Sequence, residues 1–279
     1  MTGPAGTTVV VHEEKESLAQ AVAARLVGRL IDAQAARGEA AVVLTGGRVA
    51  AAVYRAVCQL PAREEVDWSR VDVWWGDERF LPAGDPDRNE TQARAAMLDA
   101  LPMDPARVHP MPAADGPDGP DPEAAANRYA AALAAAAGAG PDALPHFDVL
   151  LLGVGEDGHV ASVFPDHPAT SQPQQAADLL TEQRAPQEDV RPGRSVSAVR
   201  NSPKPPPTRL TLTLSAINTA DEVWLIATGT DKAKAVGMAL AGSGPVQLPA
   251  GEVRGVSRTL WSLDRDAATE VPAAGHDPH

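Results

Sequence analysis

The chain has 279 residues, 44% of them hydrophobic, enough to bury a sizeable core as one large α/β domain or two small ones. A formal charge of -13 opposes non-specific binding to nucleic acid or to an anionic membrane, and the one cysteine, Cys58, leaves no intrachain disulfide and reads as core filler. No run of about 18 apolar residues occurs, and the opening MTGPAGTTVVV lacks the basic, apolar and small-residue regions of a secretory signal, so a cytoplasmic protein is expected.

Residues 7–11 (TTVVV) read as a first strand, followed by a helix over 17–36 with Leu18, Val22, Leu26 and Leu30 on one face and Gly38 as its stop. The same pattern recurs where AVVLT (41–45) meets Gly46-Gly47 and passes into an Ala-rich helix through Tyr54 and Val57. VDVWW (71–75) precedes a loop and a helix starting at Asn89, where Asn89 and Gln92 have capping-box spacing. Asp121-Pro122, a cap followed by proline at the first helical position, opens a helix that runs to about Gly138. FDVLLL (147–152) is a continuous apolar run, as in a strand covered on both faces. RLTLTL (209–214), EVWLIAT (222–228), a helix opening at Asp231 and TLWSL (259–263) complete the alternation. Residues 111–121 and 170–207 have loop composition and are expected to be flexible, and the tail 270–279 to be frayed.

Strands alternating with helices predict a mostly parallel sheet with helices on both faces, in a single domain without an evident linker. Such sheets place ligands beyond the carboxyl ends of their strands, which directs attention to the loops at 45–48, 76–89, 153–166 and 229–232. Gly46-Gly47 offers backbone N–H groups and a helix amino terminus to a phosphate, or is simply a tight turn. In WWGDERFLP (74–82), at least one of Asp77, Glu78 and Arg79 should point into the crevice above the sheet.

The most informative stretch is GVGEDGHVASVFP (153–165), where glycines allow a sharp turn that presents Glu156, Asp157 and His159 at a strand end. A histidine there suits proton transfer; a structural histidine bonded to backbone is the alternative. Metal binding is not the expectation, because no second histidine sits two to five residues on; His167, beside Pro168, falls in loop. Lys232 is expected in the first turn of a helix beside a capping Asp231, a position unfavourable to a cation unless an anion binds at the same helix end. Arg200, Lys204 and Arg209 add local positive charge to an acidic chain.

Taken together, WWGDERFLP, LLLGVGEDGHVASVFP (150–165), SPKPPPTRLTLTL (202–214), TGTDKAKAV (228–236) and TLWSLDRDAA (259–268) resemble the 6-phosphogluconolactonases over most of the chain. The resemblance implies a modified Rossmann-like α/β sandwich shared with glucosamine-6-phosphate deaminases and ribose-5-phosphate isomerases. It implies hydrolysis of 6-phospho-D-glucono-1,5-lactone, with no nucleotide or metal cofactor and no nucleic-acid or membrane partner; a monomer is favoured. It further implies His159 as general base and Arg79 as the group that orients the lactone and stabilises its oxyanion, with Asp77 and Asp157 as candidates to orient one or the other. Lys232, the Gly46-Gly47 loop and Arg200 or Lys204 would hold the phosphate. The chain departs from the family where a Gly-Gly-Ser-Thr-Pro type loop is replaced by Gly46-Gly47-Arg48-Val49, so Arg48 is expected to join the backbone N–H groups. The loop at 170–200 is also longer than usual. Rival readings are a deaminase or isomerase on the same fold and a non-catalytic sugar-phosphate sensor.

Overall fold

The computed structural model describes residues 6–138, 140, 143–165, 194–242 and 248–272. Its strands are β1 (Thr7–His12), β2 (Ala40–Leu44), β3 (Val71–Trp75), β4 (Asp77–Arg79), β5 (Val149–Gly153), β6 (Val196–Val199), β7 (Arg209–Leu212), β8 (Glu222–Ala227) and β9 (Arg258–Asp264). The helices are α1 (Lys15–Arg37), α2 (Arg48–Gln59), α3 (Asn89–Ala96), α4 (Pro122–Ala137), α5 (Leu214–Ile217), α6 (Thr230–Ala241) and α7 (Pro249–Glu252).

Six strands form one parallel sheet in the order β1-β9-β8-β5-β2-β3. Every residue of β2 and β8, and all of β5 before Gly153, is buried. Both faces of the central strands are therefore covered, which is why these segments read as unbroken apolar runs. Each fully buried Leu or Val side chain contributes about 1.5–3 kcal/mol. Leu18, Val22, Leu26 and Leu30 line the buried face of α1 as their spacing predicts.

β2 and β5 are hydrogen-bonded neighbours, yet the chain leaves β2 towards β3 and leaves β5 towards β8 on the opposite side. Connections that diverge from adjacent strands leave a crevice at their carboxyl ends, the place where open α/β sheets bind ligands. Two buried tyrosines secure strand ends near it. The Tyr54 hydroxyl of α2 accepts from Thr45 N–H and donates to Thr45 C=O, and that of Tyr129 on α4 does the same with Trp75.

The remaining strands form a small antiparallel sheet, β4-β7-β6, with α4 against it. Here the sequence expectations need correction. Residues 196–199 were expected within a loop, but β6 forms because its partner β7 lies across the ladder, a non-local pairing that composition does not reveal. RLTLTL likewise supplies β7 to this second sheet and then turns into α5. Residues 166–193, which hold His167 and most of that expected loop, lie outside the described residues, as do 273–279. Val271, in the expected tail, still packs on the core. Residues 111–121 contain no helix or strand, but Met111 is buried and Ala114 N–H donates to Leu81 C=O (3.0 Å).

Candidate active site

The loop after β5 turns back on itself through Gly158 N–H to Gly155 C=O (3.0 Å) and Gly155 N–H to His159 C=O (2.9 Å). This hairpin brings Asp157 beneath the imidazole: His159 Nδ1 lies 2.5 Å from Asp157 Oδ1. Gly155 makes the pairing possible, because a Cβ there would sit 2.0 Å from His159 Nδ1 and 2.6 Å from Asp157 Oδ1. The ring packs on Phe164, with centroids 4.5 Å apart. Burial raises the Asp157 pKa, but the hydrogen bond and charge of His159, with Lys204 nearby, prevail and bring it down to about 2. An ionised carboxylate can only accept, so Nδ1 is the donor of this bond, and in the neutral imidazole Nε2 is the acceptor. Among the described residues Nε2 has no hydrogen-bond partner.

Next to this pair, the exposed carboxylate of Glu156 joins two lysines from distant segments. Lys232 Nζ, on the first turn of α6, is 3.4 Å from Glu156 Oε1, and Lys204 Nζ is 3.9 Å from the same oxygen. Lys232 is also 3.1 Å from Asp231 Oδ2. The conflict between a lysine and the helix amino terminus is thus relieved by two carboxylates, without requiring a bound anion. Lys232, with Arg48 contributing, holds Asp231 below the ordinary carboxylate range.

β4 supplies a different arrangement. Asp77 and Glu78 are both buried and serve as anchors. Glu78 accepts from the N–H groups of Arg79 (2.8 Å), Asn89 (2.6 Å) and Glu90 (2.9 Å), so it ties the start of α3 to β4. Burial pushes its carboxyl up to about 7 against the pull of Arg88 and these donors. Asp77 takes Asn89 Nδ2 (3.2 Å) and Ser162 Oγ (2.7 Å), which couples β4 to the histidine loop. Asn89 in turn packs on Gly46, where a Cβ would come within 1.8 Å of its Oδ1. Arg79, beyond these anchors, donates through Nη1 to Asp87 C=O (2.6 Å) and lines a cavity that also touches Gly47 and Arg48.

Arg209 closes the assembly. Its Nη2 donates to the carbonyls of Lys204 (3.2 Å) and Pro205 (2.9 Å), its Nε to that of Pro206 (3.2 Å) and its Nη1 to Ser162 Oγ (3.4 Å). Its Cζ lies 5.8 Å from the centroid of Phe164, the ring that backs His159. One buried guanidinium therefore holds both the segment that carries Lys204 and the wall behind the imidazole.

The family model described as glucosamine-6-phosphate isomerases/6-phosphogluconolactonase matches residues 13–261. The chain belongs to this family. A 6-phosphogluconolactonase of Streptomyces coelicolor is 53% identical over 97% of each chain, and one of Mycobacterium tuberculosis is 43% identical over 96% of this chain and 99% of its own. The solved structure of the 6-phosphogluconolactonase of Trypanosoma brucei superposes with a TM-score of 0.75 at 26% identity, covering 95% of this chain and 99% of that one. The parallel-sheet α/β fold read from the sequence agrees with these family members.

Against that family background, the residues singled out in the sequence divide into three groups. His159 and Asp157 pair directly, and Lys204, Lys232, Gly46, Gly47 and Arg48 all lie on loops or helix starts that follow strands or lead into β7, around the crevice. Asp77 does not orient His159 or Arg79 through a side-chain contact; its oxygens are spent on Asn89 and Ser162. Arg200 is 3.9 Å from Asp121 at the start of α4 and does not join the lysines on Glu156. Two helix-start expectations also change. Asn89 is the first residue of α3 rather than its cap, with no Gln92 capping box, and Asp231 lies inside α6, whose cap is Gly229. The sequence reads Gly155 only as a turn glycine and Arg209 only as local charge, and gives Ser162 and Phe164 no role. Gly155, Ser162 and Phe164 all fall inside the informative motif, but the contacts that define their roles are not encoded by spacing.

Proposed function

We propose that this chain hydrolyses 6-phospho-D-glucono-1,5-lactone to 6-phospho-D-gluconate, the lactonase step of the oxidative pentose phosphate pathway. The observation that carries the reading is the His159–Asp157 pair, set at the β2/β5 crevice with Nε2 unengaged among the described residues and cationic side chains around it. Near-full-length relatives named 6-phosphogluconolactonase, at 42–53% identity, support the substrate.

In this reading Nε2 takes a proton from water while the water oxygen attacks the lactone carbonyl. The carbonyl oxygen becomes an oxyanion, which Arg79 stabilises. When the intermediate collapses, the bond to the ring oxygen breaks and His159 returns the proton to that oxygen. The new carboxylic acid then ionises. Asp157 fixes the ring orientation and tautomer, and Glu156 spaces Lys204 and Lys232. Those lysines, Arg48 and the Gly46-Gly47 backbone offer positive charge to the phosphate, so that remote binding energy positions the ester. The reading uses no metal or nucleotide, and it carries a cytoplasmic location and a small-molecule partner.

The test is loss of lactone ester measured over spontaneous hydrolysis, in the parent and in His159→Ala. The parent should accelerate the loss, and the variant should fall by about 100-fold or more while still binding the product. A parent rate equal to the spontaneous one, with turnover of glucosamine-6-phosphate instead, sinks the lactonase reading. Tight lactone binding without turnover would leave a sensor.

A further inference from the structure

A cavity of about 800 Å³ runs from Gly47 and Arg79 along the groove between α2 and α3. Its space comes from small residues, Gly47 and Ala51 on one side and Ala95 and Ala96 on the other. Three guanidinium groups line it: Arg48, Arg79 and Arg55. Arg55 sits four residues after Ala51 on α2. Residues four apart on a helix share a face, and Arg55 lines the cavity together with Ala51, Arg48 and Gly47.

The charges around this groove are unevenly spent. Lys204 and Lys232 share the Glu156 carboxylate, and Lys232 also has Asp231. Arg48 and Arg55, by contrast, form no ion pair among the described residues, and the buried Nε of Arg79 has no hydrogen-bond partner there. The two carboxylates that line the groove belong to Asp85 and Asp87. Asp85 accepts the Asp87 N–H (2.9 Å), while Asp87 meets Arg79 through its backbone carbonyl. In a chain of net charge -13, a lining with three guanidinium groups against two carboxylates is a local reversal of sign.

Resting on the lactonase reading, we propose that Arg55 is a specificity-determining residue: with Arg48, it binds the phosphate monoester of the substrate in the α2/α3 groove. A guanidinium offers a planar fork to phosphate oxygens, and the dianion gains most from cations that have no internal carboxylate to give up.

The experiment compares parent, Arg55→Ala and Arg55→Lys on phosphorylated and unphosphorylated glucono-1,5-lactone, alongside a direct titration with 6-phosphogluconate. Arg55 is exposed on α2, where alanine and lysine are both good helix formers. For Arg55→Ala, KM for the phosphorylated lactone should rise about tenfold or more with kcat little changed, and its preference over the unphosphorylated lactone should drop by the same factor. Binding of 6-phosphogluconate should weaken in parallel, with Arg55→Lys between the two because it keeps the charge and loses the fork. An unaltered preference and an unaltered dissociation constant in Arg55→Ala would overturn the assignment. Because the titration needs no turnover, it decides the role of Arg55 even if the parent hydrolyses no lactone, an outcome that would separately remove the lactonase reading.

Discussion

At the scale of single residues, the centre of this molecule depends on a missing side chain. Asp157 and His159 meet across the space that a Cβ on residue 155 would occupy. Gly155→Ala should therefore separate the pair and lower kcat by about tenfold or more, while thermal unfolding shows the sheet intact. An alanine variant with parental kcat would mean that the imidazole does not need its carboxylate. Asp157→Asn tests the same contact with the backbone undisturbed. It keeps the shape but removes the charge that sets the Nδ1–H tautomer, and should reduce kcat with little change in KM. GEDGH was legible in the sequence as an acid-and-histidine turn. Which of its two acids meets the ring was not, because that is settled by the angle of one turn and not by residue order.

At the scale of elements, β4 and α3 form a unit around two buried carboxylates and Asn89. Asn89→Ala would remove the donor to Asp77 and leave a buried carboxylate oxygen short of a partner, a loss of about 1–3 kcal/mol in chemical denaturation. The same substitution should lower kcat, since Arg79 is the last residue of the strand that Asn89 braces. Asp121→Ala provides a contrast: it removes the N-cap of α4, which accepts Glu123 N–H (3.0 Å), and should cost about 1 kcal/mol of stability. The Asp121-Pro122 start was readable because cap and proline act within one turn. The anchoring of α3 was not, because its real N-terminal acceptor, Glu78, comes from a strand eleven residues earlier.

For the whole molecule, two carboxyl groups shift in opposite directions and give stability a testable pH dependence. Glu78 sits at about 7 in the folded chain against an ordinary 4.5, so between these values the folded state holds a proton that the unfolded chain releases. Stability from this group is greatest below 4.5 and declines as pH rises towards 7. Asp157, at about 2 against 3.8, works the other way: its contribution is present above 3.8 and is lost as pH falls towards 2. Thermal midpoints of the parent between pH 4.5 and 8 should fall relative to those of Glu78→Gln, and parallel curves would contradict the placement of Glu78.

The sequence by itself determined the strand-and-helix alternation, the covered parallel strands and the loops that carry the chemistry. These follow from hydrophobic period and turn residues, which act over a few positions. Only the tertiary structure decided that β6 and β7 leave the main sheet for a second one, that Asp77 braces the scaffold, and that Lys204 and Lys232 converge on Glu156. Each of those outcomes joins segments far apart in the chain, and their distances depend on strand order and packing rather than on local pattern.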